Sequence, residues 1–145
     1  MQIWIGADHA GVELKERIKD LLEADNHEVT DRGPHTNDSV DYPDFAASVA
    51  QGVSSGSAER GILVCGTGIG MAIAANKISG VRAAVCHDLE TVRLSRQHNQ
   101  ANVLALGART LEPKLALSMV REWLRVGFEG GRHDRRVRKI SSLER

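Results

Sequence analysis

Residues 61–70 read Gly61-Ile62-Leu63-Val64-Cys65-Gly66-Thr67-Gly68-Ile69-Gly70, and this stretch decides the fold. An apolar strand ends at a thiol, a glycine-rich turn follows, and residues 71–77 continue in a helical pattern. In α/β proteins a strand, a glycine turn and a helix build an anion site, because the turn amides and the helix N-terminus concentrate partial positive charge. Here the same place also holds a cysteine.

The glycine turn matches neither common nucleotide motif. A dinucleotide fingerprint needs G-x-G-x-x-G after the first strand, whereas Gly66, Gly68 and Gly70 follow the third predicted strand. The chain has no G-K-[S/T], which excludes a P-loop. A tight strand-to-helix turn without a ligand explains the glycines equally well, so the motif alone does not establish a site.

Cys65 is the stronger indication of function. A helix N-terminus favours the thiolate over the thiol, so a cysteine directly before this turn is expected to be functional. Its role as nucleophile or base stays open at this point. No carboxylate lies between Gly66 and Asn76, so any base supplied by this turn must be the thiol. Cys86 is expected to behave as a small buried hydrophobe.

The pattern repeats outward from this stretch. Apolar runs predict five strands, at residues 3–5, 28–30, 62–64, 81–85 and 103–106. Helical periodicity predicts five helices between and after them, at about residues 12–22, 42–52, 70–77, 89–96 and 112–126. Thr110 can cap the last of these. Alternating strands and helices predict one α/β domain over residues 1–145, with a parallel sheet between two helical layers.

Ligands of open parallel sheets bind beyond the carboxyl ends of the strands. Polar side chains follow four predicted strands there: Asp8 and His9, Cys65, Cys86-His87-Asp88, and Arg109. His98 and Asn99 lie in the link between the fourth helix and the fifth strand, which could sit at either edge. Cys65, Cys86, His87 and His9 could in principle bind zinc, but their spacings match no closed zinc motif.

The last fourteen residues are basic. They hold six cationic and two acidic side chains: Arg132, Arg135, Arg136, Arg138, Lys139 and Arg145 against Asp134 and Glu144. A solvated tail is one interpretation. The other is a docked helix, since Val137, Ile140 and Leu143 recur at helical spacing. On such a helix Arg132 and Arg136 share a face, which suits a phosphate.

Composition excludes several classes of function. Lys plus Arg and Asp plus Glu both number 19, and aromatic residues are 3% of the chain, which disfavours a nucleic-acid or membrane-surface role. No apolar run could span a membrane, and no basic leader precedes the first strand. Two cysteines cannot form a disulfide framework, so a reducing cytoplasm is expected.

Several motifs together resemble the family of ribose-5-phosphate isomerase B, which also contains galactose-6-phosphate isomerase subunits. The resemblance covers essentially the whole chain. It rests on Asp8-His9-Ala10-Gly11, Asp41-Tyr42-Pro43, Cys65 to Gly70, Ala74-Ala75-Asn76-Lys77, Ser95-Arg96-Gln97-His98-Asn99 and Gly130-Gly131-Arg132-His133. One branch of the family has a glutamate at the helix start instead of the cysteine. Met71 stands there in this chain, which therefore follows the cysteine branch.

The resemblance implies a Rossmann-like aldose–ketose isomerase without metal or cofactor, with active sites between the subunits of a dimer or tetramer. It would interconvert ribose 5-phosphate and ribulose 5-phosphate through an enediolate in the pentose phosphate pathway, and residues 130–145 would pack on the partner. Isomerisation needs a base beside a carbonyl and a site that stabilises the enediolate, and neither requires a metal.

The family's motifs also imply a role for each site residue. Cys65 would be the base between C1 and C2, and His98 would open the ring with Asp8 and Thr67 nearby. The amides of Gly66, Thr67, Gly68, Ile69 and Gly70 would stabilise the enediolate, and Asn99 would bind sugar hydroxyls or the oxyanion. The phosphate would be bound by His9, Arg109, Arg132 and Arg136. The alternatives are an allose or galactose 6-phosphate isomerase and a non-catalytic thiol or nucleotide-binding module.

Overall fold

Strands and helices alternate along the whole chain. The computed structural model describes every residue from Met1 to Arg145. The strands are β1 (Gln2–Ala7), β2 (Glu28–Asp31), β3 (Arg60–Cys65), β4 (Ala83–Val85) and β5 (Val103–Gly107). The helices are α1 (Val12–Ala24), α2 (Tyr42–Ser54), α3 (Ile69–Ala75), α4 (Leu89–Gln97), α5 (Pro113–Arg125) and α6 (Arg132–Ser141). None of these helices combines the length and apolarity that crossing a membrane requires.

The five strands form one parallel sheet in the order β2-β1-β3-β5-β4, which confirms the predicted fold class. The chain runs from β1 outward to β2 and then returns to the other side of β1 to form β3. Such a reversal leaves a crevice at the carboxyl ends of the two central strands, where ligands bind in open α/β sheets. Asp8 directly follows β1 at this edge, and Cys65 is the last residue of β3.

Side-chain alternation along β3 distributes the core over both faces of the sheet. Ile62 and Val64 belong to a cluster of 17 buried residues that includes the apolar sides of α1 and α5. Leu63 and Cys65 belong to a second cluster of 11, with residues of α2 and α3. Cys65 therefore points toward the layer that contains α3, the helix that its own turn begins.

The expected bounds of α3 and β4 are one or two residues too long at their shared end. Asn76 ends α3 because its side chain pairs with the backbone of Ala83 instead, accepting from Ala83 N at 2.8 Å and donating to Ala83 O at 3.0 Å. Residues 81–82 lie outside β4, and the amide of Arg82 donates to Asn102 Oδ1 at 2.7 Å. Side chains thus form hydrogen bonds with backbone groups that would otherwise pair within a helix or strand.

The expectation that Thr110 caps α5 is wrong. Its hydroxyl donates to Gly107 O at 3.3 Å within the turn after β5. The helix starts at Pro113, with Glu112 as the residue before its first turn. Proline suits this position because its ring presets the helical φ and its missing N–H has no helical partner there.

Candidate active site

A cleft opens at the carboxyl edge of the sheet, above the ends of β1, β3 and β5. Its volume is about 460 Å³. The residues that line it are Asp8, Tyr42, Cys65, Gly66, Thr67, Ile69, Gly70, Ile73 and Arg109. Seven of these nine were expected as site residues from the sequence, and Tyr42 and Ile73 were not.

The Cys65 thiol lies at the floor of this cleft, 5% exposed. Its Sγ accepts a hydrogen bond from the amide of Gly68 at 3.1 Å. Gly68 has a left-handed φ of 81°, and a Cβ there would lie 3.0 Å from the backbone carbon of Leu106. Glycine at this position therefore lets the turn fold back so that an amide faces the sulfur. A backbone N–H therefore faces the sulfur directly at the start of α3.

The end of β5 holds the turn in place. Ala108 N donates to Cys65 O at 2.7 Å, and Arg109 N donates to Gly66 O at 3.0 Å. A Cβ on Gly107 would lie 2.8 Å from Thr67 O, so only glycine lets the two segments come this close. The Arg109 guanidinium lies over Gly66, where a Cβ would be 3.3 Å from its Nη1. A fixed positive charge therefore borders the turn.

Asp8 lines the cleft, whereas His9, expected in the site from the sequence, directly follows it and is not among the lining residues. Asp8 is 9% exposed, and its Oδ1 accepts from the amides of Ala10 at 2.9 Å and Gly11 at 3.2 Å. His9 Nδ1 accepts from Val40 N at 3.3 Å, which leaves Nε2 as the protonated nitrogen of a neutral ring. Both side chains are oriented by backbone groups before any ligand binds.

Tyr42 is the cleft residue that sequence reasoning missed most clearly. Its ring lies against Gly70, where a Cβ would approach Tyr42 Cε1 to 2.5 Å. Tyr42 begins α2, directly after the long polar loop of residues 33–41. The Asp41-Tyr42-Pro43 segment was available as a signal, but its distance along the chain from β3 gave no reason to place it at the cleft.

Four expected site residues lie elsewhere in the isolated chain. His98 and Asn99 precede β5, so they sit at the amino edge of the sheet, whereas Cys65 lies at the carboxyl edge. Five residues of β5 separate the two edges, roughly 16 Å at ~3.3 Å per residue. Arg132 and Arg136 lie on α6. The structure therefore divides the expected site into two groups instead of assembling it within one chain.

The second group is organised around His98. Its ring stacks on that of His133, with centroids 4.1 Å apart and an angle of 10° between the planes. Glu129 Oε1 lies 3.4 Å from His98 Nε2 and 3.9 Å from His133 Nε2. Burial lowers the pKa of His133, and the charges of His98, Arg132 and Arg136 lower it further, against an opposing effect of Glu129. These cationic neighbours make the region attractive to an anion.

The structure does not gather the four residues considered for zinc. Donor atoms come together in two other groups, His98 with Glu129 and His133, and Glu16 with Asp31 and His35. Cys86 lies 3% exposed in the larger core cluster. Burial raises the pKa of its thiol against the opposing hydrogen bonds of Ser95 and Thr91, so Cys86 behaves as the small buried hydrophobe expected from the sequence.

Comparison with known proteins decides the family. Residues 3–140 match the Ribose/Galactose Isomerase family. The chain belongs to this family. Ribose-5-phosphate isomerase B of Escherichia coli strain K12 is 46% identical over 143 residues, 99% of this chain and 96% of that protein. D-erythrulose-4-phosphate isomerase of Pectobacterium atrosepticum is 45% identical over 145 residues, 99% of this chain and 95% of that protein.

A solved member of the Ribose/Galactose Isomerase family has nearly the same structure. Ribose-5-phosphate isomerase B of Clostridium thermocellum superposes with a TM-score of 0.98 at 53% identity, covering 99% of this chain and 97% of that one. The resemblance inferred from the motifs is thus confirmed, and so is the fold that it implied.

Proposed function

We propose that this member of the Ribose/Galactose Isomerase family interconverts ribose 5-phosphate and ribulose 5-phosphate through an enediolate. The observation that carries the proposal is the position of the Cys65 thiol, whose Sγ accepts a hydrogen bond from the Gly68 amide at 3.1 Å. The cleft around this thiol is bordered by the cationic Arg109. The thiolate removes the proton from the carbon next to the carbonyl and returns it to the neighbouring carbon. The turn amides of residues 66–70 then face the developing oxyanion, where preorganised donors are most effective.

Phosphate binding would fix the far end of the sugar. Arg109 lines the cleft, His9 directly follows its lining residue Asp8, and Arg132 and Arg136 lie on α6. Guanidinium groups bind phosphate in a planar, bidentate manner, which holds the reacting carbons over the thiolate. His98 assists ring opening, and Asn99 binds sugar hydroxyls or the oxyanion.

A complete site would need a second copy of the chain. The N-terminal end of α3 borders the Cys65 cleft, and its C-terminal end borders a second cleft of about 860 Å³ that includes Asn99. Between them α3 exposes Ile69 at 54% and Ile73 at 59%. If two copies pack antiparallel along α3 about a two-fold axis, each brings its His98 and Asn99 to the other's Cys65.

The basic helix α6 would join the same interface. Val137 is buried within its own chain at 6% exposure, whereas Ile140 and Leu143 remain 45% and 81% exposed. An apolar face that its own chain covers only at one end fits an arm that packs on a partner. Such packing also carries Arg132 and Arg136 toward the phosphate of the partner's substrate.

Replacing each cysteine by serine tests the base. Cys65→Ser should lower kcat for ribose 5-phosphate by roughly 10²–10⁴-fold, the usual contribution of a positioned base. Cys86→Ser is the matched control, a buried thiol outside the cleft, and should retain activity. Circular dichroism checks the fold of both proteins. Full activity in Cys65→Ser would rule out the thiol as the base.

A mixed dimer tests whether two chains share the site. Cys65→Ser and His98→Ala would each be inactive alone. When they are co-expressed, half of the dimers are mixed, and each mixed dimer has one site with both native groups. Activity should therefore return to about one quarter of wild type. No recovery in a mixture shown by mass spectrometry to contain mixed dimers would mean that both residues act within one chain.

The second candidate function is the same isomerisation of a sugar phosphate with a different number of carbons. Relatives with 45–46% identity are named for four-carbon and five-carbon sugar phosphates, and the family description includes galactose. Turnover on erythrulose 4-phosphate, ribose 5-phosphate and allose or galactose 6-phosphate compares them directly. A kcat/KM for a four- or six-carbon phosphate far above that for ribose 5-phosphate would replace the first choice.

A further inference from the structure

Two arginines, the buried Arg96 and the half-buried Arg82, hold the backbone of the turn that follows α4. We call residues 98–101 the His98 turn. Arg82 Nε donates to Asn99 O at 3.0 Å, and its Nη2 donates to Gln100 O at 3.0 Å. Arg96 Nη1 donates to Ala101 O at 2.7 Å. Three consecutive carbonyls of the turn are thus fixed by guanidinium groups.

The His98 turn needs such support. Gln100 has a φ of 48°, in the left-handed region that a residue other than glycine rarely adopts. Arg82 bridges the carbonyls of Asn99 and Gln100, which flank the α-carbon of Gln100, and so holds this residue in its unfavourable conformation. The position of the Asn99 side chain follows directly from this backbone.

The arginines are committed to peptide carbonyls alone. Neither Arg82 nor Arg96 forms a salt bridge with a carboxylate, and Arg96 is 8% exposed. Burial, together with the charges of Arg60 and Arg82, lowers the pKa of Arg96 to about 10. Burying guanidinium groups near one another is unfavourable unless their donors are satisfied, so the carbonyls of the His98 turn are needed as partners.

Arg60 provides an internal comparison. It lies at the same edge of the sheet and is partly buried like Arg82. Its Nη1 donates to Trp123 O at 2.8 Å, and its guanidinium lies 5.1 Å from the centre of the Trp123 ring. Its recorded partners belong to α5 and not to the His98 turn. Arg60 therefore stabilises the fold in a similar way without holding the turn.

We infer that Arg82 is a positioning residue for the isomerisation, holding the His98 turn so that Asn99 and His98 reach the reacting end of the sugar. The inference rests on the proposed function, in which these two side chains act on the substrate. Because they act on the reacting end of the sugar and not on its phosphate, a displaced turn should lower kcat by a larger factor than it raises KM.

The test compares Arg82→Lys with Arg60→Lys. An ammonium group lacks the planar fork that spans two carbonyls, so Arg82→Lys should lower kcat by roughly 10–100-fold, as small misplacements do. Arg60→Lys should change kcat by less than about two-fold at a similar loss of thermal stability. Arg82→Gln, assayed below its melting temperature, gives a second measurement if the lysine variant folds poorly.

A double-mutant cycle with Asn99→Ala tests whether Arg82 acts on kcat through the His98 turn. If Arg82 acts through the turn, Arg82→Lys should cost little further kcat once Asn99 has been truncated, so the two effects are strongly non-additive. Additive effects, or a kcat in Arg82→Lys equal to that of Arg60→Lys, would overturn the inference while leaving the proposed function intact. Full activity in both Asn99→Ala and His98→Ala would instead remove these residues from the proposed site, and the inference with them.

Discussion

Replacing Lys15 by methionine tests how the buried charge beneath the site loop is held. Lys15 has no exposed surface, and its Nζ donates to Asp31 Oδ1 at 2.8 Å, Asp31 Oδ2 at 2.9 Å and Pro34 O at 2.7 Å. Asp31 also accepts the Gly33 amide at 2.8 Å, and its side chain is 8% exposed. This network anchors the start of the loop that leads to Tyr42.

Methionine keeps the apolar stem of Lys15 but removes the charge that hydrogen-bonds Asp31, leaving this largely buried carboxylate only the more distant Lys19 at 3.7 Å. Breaking one side of a buried ion pair costs about 3–5 kcal/mol. For a chain of this length, each kcal/mol lowers the melting temperature by roughly 2–4 °C. The variant should therefore melt roughly 6–20 °C below wild type.

The assay is chemical unfolding of three proteins at neutral pH. Wild type and Lys15→Met are compared with the double variant Lys15→Met/Asp31→Asn, in which the amide oxygen can still accept from Gly33. Removing both charges avoids the unpaired carboxylate, so the double variant should recover more than half of the lost free energy of unfolding. A double variant as unstable as Lys15→Met would refute the reasoning, because the loss would then come from packing alone.

The ion pair of Lys15 and Asp31 also makes the free energy of unfolding depend on pH. Burial opposes ionisation of Asp31, but the hydrogen bonds from Lys15 and the Gly33 amide outweigh it and hold the pKa of Asp31 below its usual value. A depressed folded-state pKa adds stability above the unfolded value of roughly 4, and this stability is lost as the pH falls through the folded value. The deficit of Lys15→Met should thus be largest near neutral pH and shrink in acid.

Three further changes have distinct readouts. Gly70→Ala forces the Tyr42 ring away, since the new Cβ would lie 2.5 Å from Cε1, and should lower kcat/KM by roughly 10-fold or more without loss of stability. Asp88→Ala removes a cap whose Oδ1 accepts from Thr91 N at 2.7 Å, and should cost about 1 kcal/mol in denaturant unfolding. Cys86 should resist a thiol reagent in the native protein and react in urea, because burial raises the pKa of its thiol.

Much of the fold could be predicted from local patterns. Short apolar runs separated by helical periodicity can be buried only as a parallel sheet covered on both faces, so the strands and helices could be predicted along with the three layers. The predicted helix and strand ends that were wrong lie where a side chain forms a hydrogen bond with the backbone. The side chain of Asn76 forms hydrogen bonds with the backbone of Ala83 beyond the end of α3, and the Thr110 hydroxyl donates to the Gly107 carbonyl within the same turn. Such partners are not visible in periodicity.

The sequence by itself determined the sheet and the groups that directly follow its strands, because parallel strands bring their carboxyl ends to one edge. Asp8, Cys65 and Arg109 could be grouped on that ground. Only the tertiary structure decided that Tyr42 lies on Gly70 and that His98 lies at the opposite edge. These contacts depend on how a loop and a helix pack over residues distant along the chain, which no local spacing encodes.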